Sequence, residues 1–116
     1  MKTTISIFIL LILTAVVSCK HVVKYDCTGY TPTYEANVKP ILDATCATEG
    51  CHGGNDPEED IDLSTFAGAS AASREKSFMG SIQHLPGYHK MPQDAERLTD
   101  TQIHLLSCWI ENGSPE

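Results

Sequence analysis

Cys46-Ala47-Thr48-Glu49-Gly50-Cys51-His52-Gly53 is the stretch on which the reading of this chain turns. It sets an imidazole directly after the second of two nearby thiols. Two cysteines followed at once by histidine is the arrangement of covalent c-type haem attachment. The thiols add to the two vinyl groups of the porphyrin, and the neighbouring histidine is carried under the iron as an axial ligand. Adjacency matters because the thioether limits where the imidazole can reach. The common form of the motif has about two residues between the cysteines, and here there are four. The extra residues can loop out, and Gly50 relaxes the backbone just before Cys51. Three other chemistries compete for the same residues. Cys46 and Cys51 could form a disulfide. A zinc site could draw on them, although adjacent Cys51 and His52 rarely aim at one ion. A redox dithiol would use a tighter pair.

An iron that only carries electrons takes a sixth ligand from the protein. Met79, Met91, His84 and His89 are the candidates. Met91 precedes Pro92 in a loop that follows Gly87, and such a loop can fold over the exposed face of a ring. Met79 stands at helical spacing with Phe78 and Ile82 and reads as packing. His84 and His89 read as loop histidines, and His104 as an exposed position on the flank of the last helix.

The N-terminus places this chemistry outside the cytosol. Lys2 precedes an almost wholly apolar run, Ile5 to Val17, which is the pattern of a secretory signal peptide. Residues 1–18 are expected to be removed. Val16-Val17-Ser18-Cys19 resembles a bacterial lipobox, which implies that Cys19 is lipidated and becomes the new N-terminus. Lys20 after it favours sorting to the outer membrane. Residues 19–33, without periodicity, are expected to form a tether and first loop, and 34–116 the folded domain. The product is then a domain anchored by acyl chains and facing the periplasm, not a spanning protein.

Composition points to help from outside the side chains. From Cys19 onward the chain has 7 basic and 15 acidic side chains, a net charge of −8. Such a chain is a poor match for phosphate backbones, so no nucleic-acid partner is expected. Leu, Ile, Val and Phe number 16 among these 98 residues, about the level at which chains fail to fold unaided. A cofactor or a cross-link must supply the difference. Exported proteins meet an oxidising environment. With Cys19 assigned to lipid and Cys46 and Cys51 to the motif, Cys27 and Cys108 are left as a candidate disulfide between the two ends of the domain.

The periodicity is helical throughout. Tyr34 to Thr45 reads as a first helix with Val38, Ile41, Leu42 and Thr45 on one face, kinked or delayed by Pro40. Residues 50–62 read as a loop whose run Glu58-Glu59-Asp60 is a solvated face. Ser64 is expected to cap a short helix over Thr65–Ser73, and Arg74–Gln83 to form another. His84–Leu98 reads as a long loop. Thr99 and Gln102 form a capping box for a last helix striped by Ile103, Leu106 and Ile110 and stopped at Gly113. No segment alternates, so the fold class is all-α with long loops.

One ordered set of residues spans most of the chain. It runs from Tyr34-Glu35-Ala36-Asn37-Val38-Lys39-Pro40-Ile41-Leu42 into Cys46, Cys51, His52 and Gly53. Ile61-Asp62-Leu63 with Phe66, Gly80-Ser81-Ile82, Met91-Pro92, Leu98-Thr99 and Trp109-Ile110-Glu111-Asn112-Gly113 follow. In this order the set resembles the single-haem cytochrome c family, in particular short bacterial lipoproteins with a lengthened cysteine spacing. The resemblance implies a small fold of three to five helices around one covalent haem c. It makes His52 the proximal ligand and Met91 the distal one, with Leu63, Phe66 and Ile82 around the ring. It implies that Leu106 and Trp109 pack the last helix on the first. The function expected is single-electron transfer to redox partner proteins not identified by the sequence, not enzymatic turnover. The alternatives are a haem enzyme or gas sensor with an open sixth site, and a non-haem lipoprotein that uses its cysteines for disulfides or another metal.

Overall fold

The computed structural model describes residues 22–116. The signal segment and Cys19 lie outside the described residues. Four α-helices follow one another in the chain: α1 (Lys39–Thr45), α2 (Phe66–Ser73), α3 (Lys76–Ile82) and α4 (Asp100–Glu111). Among the described residues there is no strand beyond one isolated bridge between Glu49 and Gly53, so the class is all-α. No described helix is long and apolar enough to cross a membrane.

Pro40 does not break the first helix. A π-helical turn, Tyr34–Val38, runs directly into α1. Val38 N–H donates to the Thr33 carbonyl (3.2 Å), and Lys39 N–H to the Tyr34 carbonyl, each five residues back. The proline ring would crowd the carbonyl four residues before it in a regular helix, and the wider turn relieves that contact. The result keeps Tyr34, Val38, Leu42 and Cys46 buried on one side, four residues apart.

The middle helices begin later than the sequence pattern suggests. Thr65, not Ser64, caps α2, its hydroxyl accepting from Gly68 N–H at 3.2 Å. Ser64 instead donates its backbone N–H to the Asp62 carboxylate. Either hydroxyl could have served as a cap, and the Asp62 turn claims the first. Helix α3 starts at Lys76, after a turn through Arg74 and Glu75. The capping box of α4 forms as its residue types dictate, with Thr99 and Gln102 bonded reciprocally. Gly113 follows the helix at φ +86°, a conformation that disfavours a side chain.

One core joins the two ends of the domain. Tyr34, Val38, Leu42, Leu63, Ile82, Leu98, Ile103, Leu106 and Trp109 are buried together, with Phe66, Phe78 and Met79 packed at its margin. Tyr34 meets Trp109 at a ring separation of 6.3 Å and Phe66 at 5.4 Å. The chain after α4 turns back to this contact. The Pro115 carbonyl accepts both Tyr34 N–H (2.9 Å) and the Trp109 indole N–H (2.8 Å). Ser114, itself buried, meets Ser73 of α2 at 3.0 Å.

Residues 22–33 hold no helix but are fastened to the helices at several points. The buried Gln83 side chain accepts Val23 N–H (2.9 Å) and donates to the Val23 carbonyl (3.1 Å). His104 stacks on Tyr25 at 5.0 Å and donates to the Asp26 carbonyl at 3.0 Å. His104 is therefore half-buried and engaged, where the sequence suggested an idle flank. Cys27 and Cys108 are joined by a disulfide across 81 residues of sequence.

A cross-link over so long a loop chiefly restricts the unfolded chain. The Cys27→Ser, Cys108→Ser double variant is expected to lose about 3–5 kcal/mol of stability in urea denaturation. A loss below about 1 kcal/mol would show that the hydrogen bonds and stacking of this segment suffice without the bond.

Candidate functional site

Cys46 leaves the end of α1, where its N–H still bonds the Leu42 carbonyl at 2.8 Å. From there the chain makes a tight loop that returns on itself. Cys51 N–H donates to the Thr48 carbonyl (3.0 Å) and His52 N–H to the Cys46 carbonyl (3.0 Å). His52 is thus tied back to the first cysteine, not only to the second. Gly53 is buried in this loop, and a Cβ there would lie 2.0 Å from the Ala47 carbonyl oxygen. Only glycine permits the two passes of the chain to come so close.

The two thiols are free. Cys46 is buried and Cys51 exposed, so the loop presents one sulfur at the edge of the core and one to solvent. Burial pushes the Cys46 thiol above its ordinary value of 9.0, opposed in part by its hydrogen bond with Thr45. The side chain is accordingly held as a neutral thiol, in the form suited to an apolar setting.

His52 is oriented by the acidic stretch beyond it. Its Nδ1 lies 3.2 Å from the Glu58 carbonyl. A carbonyl only accepts, so Nδ1 donates this bond, and in the neutral ring Nε2 then keeps its lone pair. Glu58 N–H in turn donates to the Cys51 carbonyl (2.7 Å), and Leu63 N–H to the His52 carbonyl (2.7 Å). A histidine ligand normally has its second nitrogen fixed by such a bond. Glu58, Glu59 and Asp60 are exposed and form a single 3-10 turn, yet the backbone of that turn holds the imidazole. Sequence reading sees the charges and misses the carbonyl, because any residue type supplies one.

Met91 lies half-buried in the loop between α3 and α4. Its N–H donates to the Ser81 carbonyl at 3.2 Å. His84 Nε2 donates to the Met91 carbonyl at 3.1 Å. His84 therefore spends one ring nitrogen holding Met91 in place. His89 is exposed, and Met79 packs against the core. The bonds that fix Met91 run to the end of α3, while those that fix His52 run within residues 46–63. Leu63 and Ile82 are buried in the protein core, with Phe66 at its margin.

A second group of ligating side chains lies at the other end of α4. Ligand atoms of Cys27, His104 and Cys108 fall within 4.8 Å of one another. The two sulfurs are bonded to each other and lack the thiolate charge that a metal requires.

No protein-family model matches this chain, and no curated protein or solved structure matches it.

Among the described residues the Tyr34 hydroxyl is a buried side-chain polar atom without a hydrogen-bond partner. Burial pushes the Tyr34 hydroxyl above its ordinary pKa of 10.0, with nearby Lys39 acting in the opposite direction. Tyr34 and Cys46 thus share one sign. The folded chain keeps protons that the unfolded chain releases at its ordinary values. Their contribution to stability is complete below about pH 9 and is lost as pH rises further. Urea denaturation of chain expressed without haem should give flat stability between about pH 7 and 8 and a decline above about pH 9. A gain in stability over the alkaline range would contradict the burial of both groups.

Proposed function

We propose that this protein is a membrane-tethered c-type cytochrome carrying single electrons through one covalently bound haem. The observation that supports the reading most strongly is the state of the Cys46–Gly53 loop. Both thiols are free, and the imidazole that follows them has Nδ1 bonded to a carbonyl, so Nε2 is available. The pairing of Cys27 with Cys108 removes those sulfurs from competition. These residues fit a haem. Cys46 and Cys51 would hold it by thioethers, with His52 as the proximal ligand and Met91 as the distal ligand. When bound, a haem c supplies a one-electron couple whose potential follows its axial ligands and burial.

The chain's own part in that function is positional. The Glu58 carbonyl fixes the tautomer and the plane of His52. The Ser81 carbonyl and His84 fix the backbone of Met91 on both sides. His84 has its Nε2 engaged with the Met91 carbonyl, so it serves in this reading as a positioning residue. Tyr34, next to Phe66, holds a buried hydroxyl without a partner, which a polar edge of a bound group would satisfy. The acidic surface, −8 from Cys19 onward, favours a basic redox partner. Cys19 would carry the acyl chains and hold the domain on the outer membrane, facing the periplasm.

Expression in a host with haem-attachment machinery, followed by a denaturing gel stained for haem peroxidase activity, tests the reading directly. The wild-type chain should stain, and the Cys46→Ser, Cys51→Ser double variant should not. An unstained wild-type band of normal abundance would end the proposal. Met91→Ala should abolish the sulfur-to-iron charge-transfer absorption of the ferric protein and admit carbon monoxide to the ferrous form. His84→Ala should weaken the same band while haem content is retained, and a band unchanged in both variants would remove Met91 as ligand.

A further inference from the structure

Basic side chains are scarce on this molecule, and their placement is uneven. Among the described residues Lys39 is paired with Asp43 at 3.0 Å and Arg97 with Asp100 at 2.9 Å. Lys24, Arg74, Lys76 and Lys90 form no ion pair there. The first three of these line one open depression of about 600 Å³, together with Glu75, Met79 and Tyr88. A net positive rim on a strongly acidic domain marks a site for an anionic partner.

The same face carries exposed apolar surface. Tyr88, which lines the depression, is 37% exposed and is one of four large apolar side chains left open on the described surface. Tyr88 is held in place because its ring lies flat on Gly80, where a Cβ would come within 2.6 Å of the ring carbons. Lysine and arginine around an exposed aromatic residue is the surface that settles at a lipid headgroup layer.

The chain's path then decides the occupant. Val22 lines this depression, and Gln83 grips both backbone polar groups of Val23. The point at which the N-terminal segment leaves the domain is therefore fixed beside the basic rim. Cys19 stands three residues before Val22, a span of at most about 11 Å even when fully extended. Acyl chains on Cys19 would bring this rim to the bilayer. We infer that the depression bounded by Lys24, Arg74, Lys76 and Tyr88 is a docking face for anionic phospholipid headgroups, which orients the domain on its membrane. The inference rests on the lipid anchor in the proposed function. Lys24, Arg74 and Lys76 engage lipid phosphates, Tyr88 enters the headgroup layer, and Gln83 serves as a positioning residue for the exit of the anchor.

The test uses the mature, haem-loaded, acylated chain reconstituted on vesicles of phosphatidylcholine alone or with phosphatidylglycerol. Amine labelling is read at each lysine by mass spectrometry. Labelling of Lys24 and Lys76 should fall at least about threefold on the phosphatidylglycerol vesicles and recover in about 0.5 M salt. Lys39 and Lys90 should change little. The Arg74→Glu variant, with an unchanged melting curve, should lose the protection. The Gln83→Ala variant should reduce the contrast between the two groups of lysines without altering acylation. Equal labelling of all four lysines on both vesicles, in a chain whose N-terminal peptide has the acylated mass, would overturn the docking face alone. An N-terminal peptide without acyl mass would overturn the anchor and this inference with it. Protection that appears on neutral vesicles to the same extent would assign the effect to tether length and overturn the headgroup contact.

Discussion

The carbonyl of Pro115 ties the first and last helices together. It accepts from the backbone of Tyr34 and from the indole of Trp109, so the start of the first helix, the end of the last and the C-terminal turn share one oxygen. Next to it Ser114 reaches Ser73, which brings in α2. The apolar core alone is small, and much of its definition comes from such polar junctions within it. Each is buried or half-buried, where a satisfied hydrogen bond restricts geometry and an unsatisfied one would cost about 1–3 kcal/mol. Tyr34 is the exception. Its backbone is fully engaged and its hydroxyl is not, which makes that atom the natural place for a bound group to supply a polar neighbour.

What could be read from residues alone was local chemistry. The capping box of Thr99 and Gln102 is decided by two side chains three positions apart, and it forms as read. The all-α class follows from helical spacing of few apolar residues. Thr65 displaced Ser64 as a cap because both offer a hydroxyl, and only the Asp62 turn distinguishes them. Pro40 signalled a disturbance, but not that a π-helical turn would absorb it. The Cys27–Cys108 bridge was legible from cysteine counting, but the long-range hydrogen-bonded clasps left no trace. Gln83 to Val23 spans 60 residues and His104 to Asp26 spans 78, and in each the partner is a backbone group without residue identity. The same reason hid the part of Glu58 in holding His52.

The candidate site is divided between two separately fastened pieces. One is the turn that contains both free cysteines and His52, closed by bonds from Cys46 to Leu63. The other is the Met91 loop, pinned to the end of α3 by Ser81 and His84. A covalent group anchored in the first and ligated by the second would join them, and the scarcity of Leu, Ile, Val and Phe gives such a group a structural duty as well as a chemical one. Loss of the distal contact would then affect the order of residues 84–98 before it affected the cysteine turn.

The pairing of the cysteines has a consequence for biogenesis. The bridge joins the first and last described cysteines and encloses the two free ones. A chain threaded across a membrane from its N-terminus presents Cys27, then Cys46, then Cys51, long before Cys108. An oxidase acting on thiols in their order of arrival would make the wrong bond. In a chain exported as proposed, reaching the nested arrangement would call for an escort that keeps the inner pair reduced or an isomerase that corrects early errors.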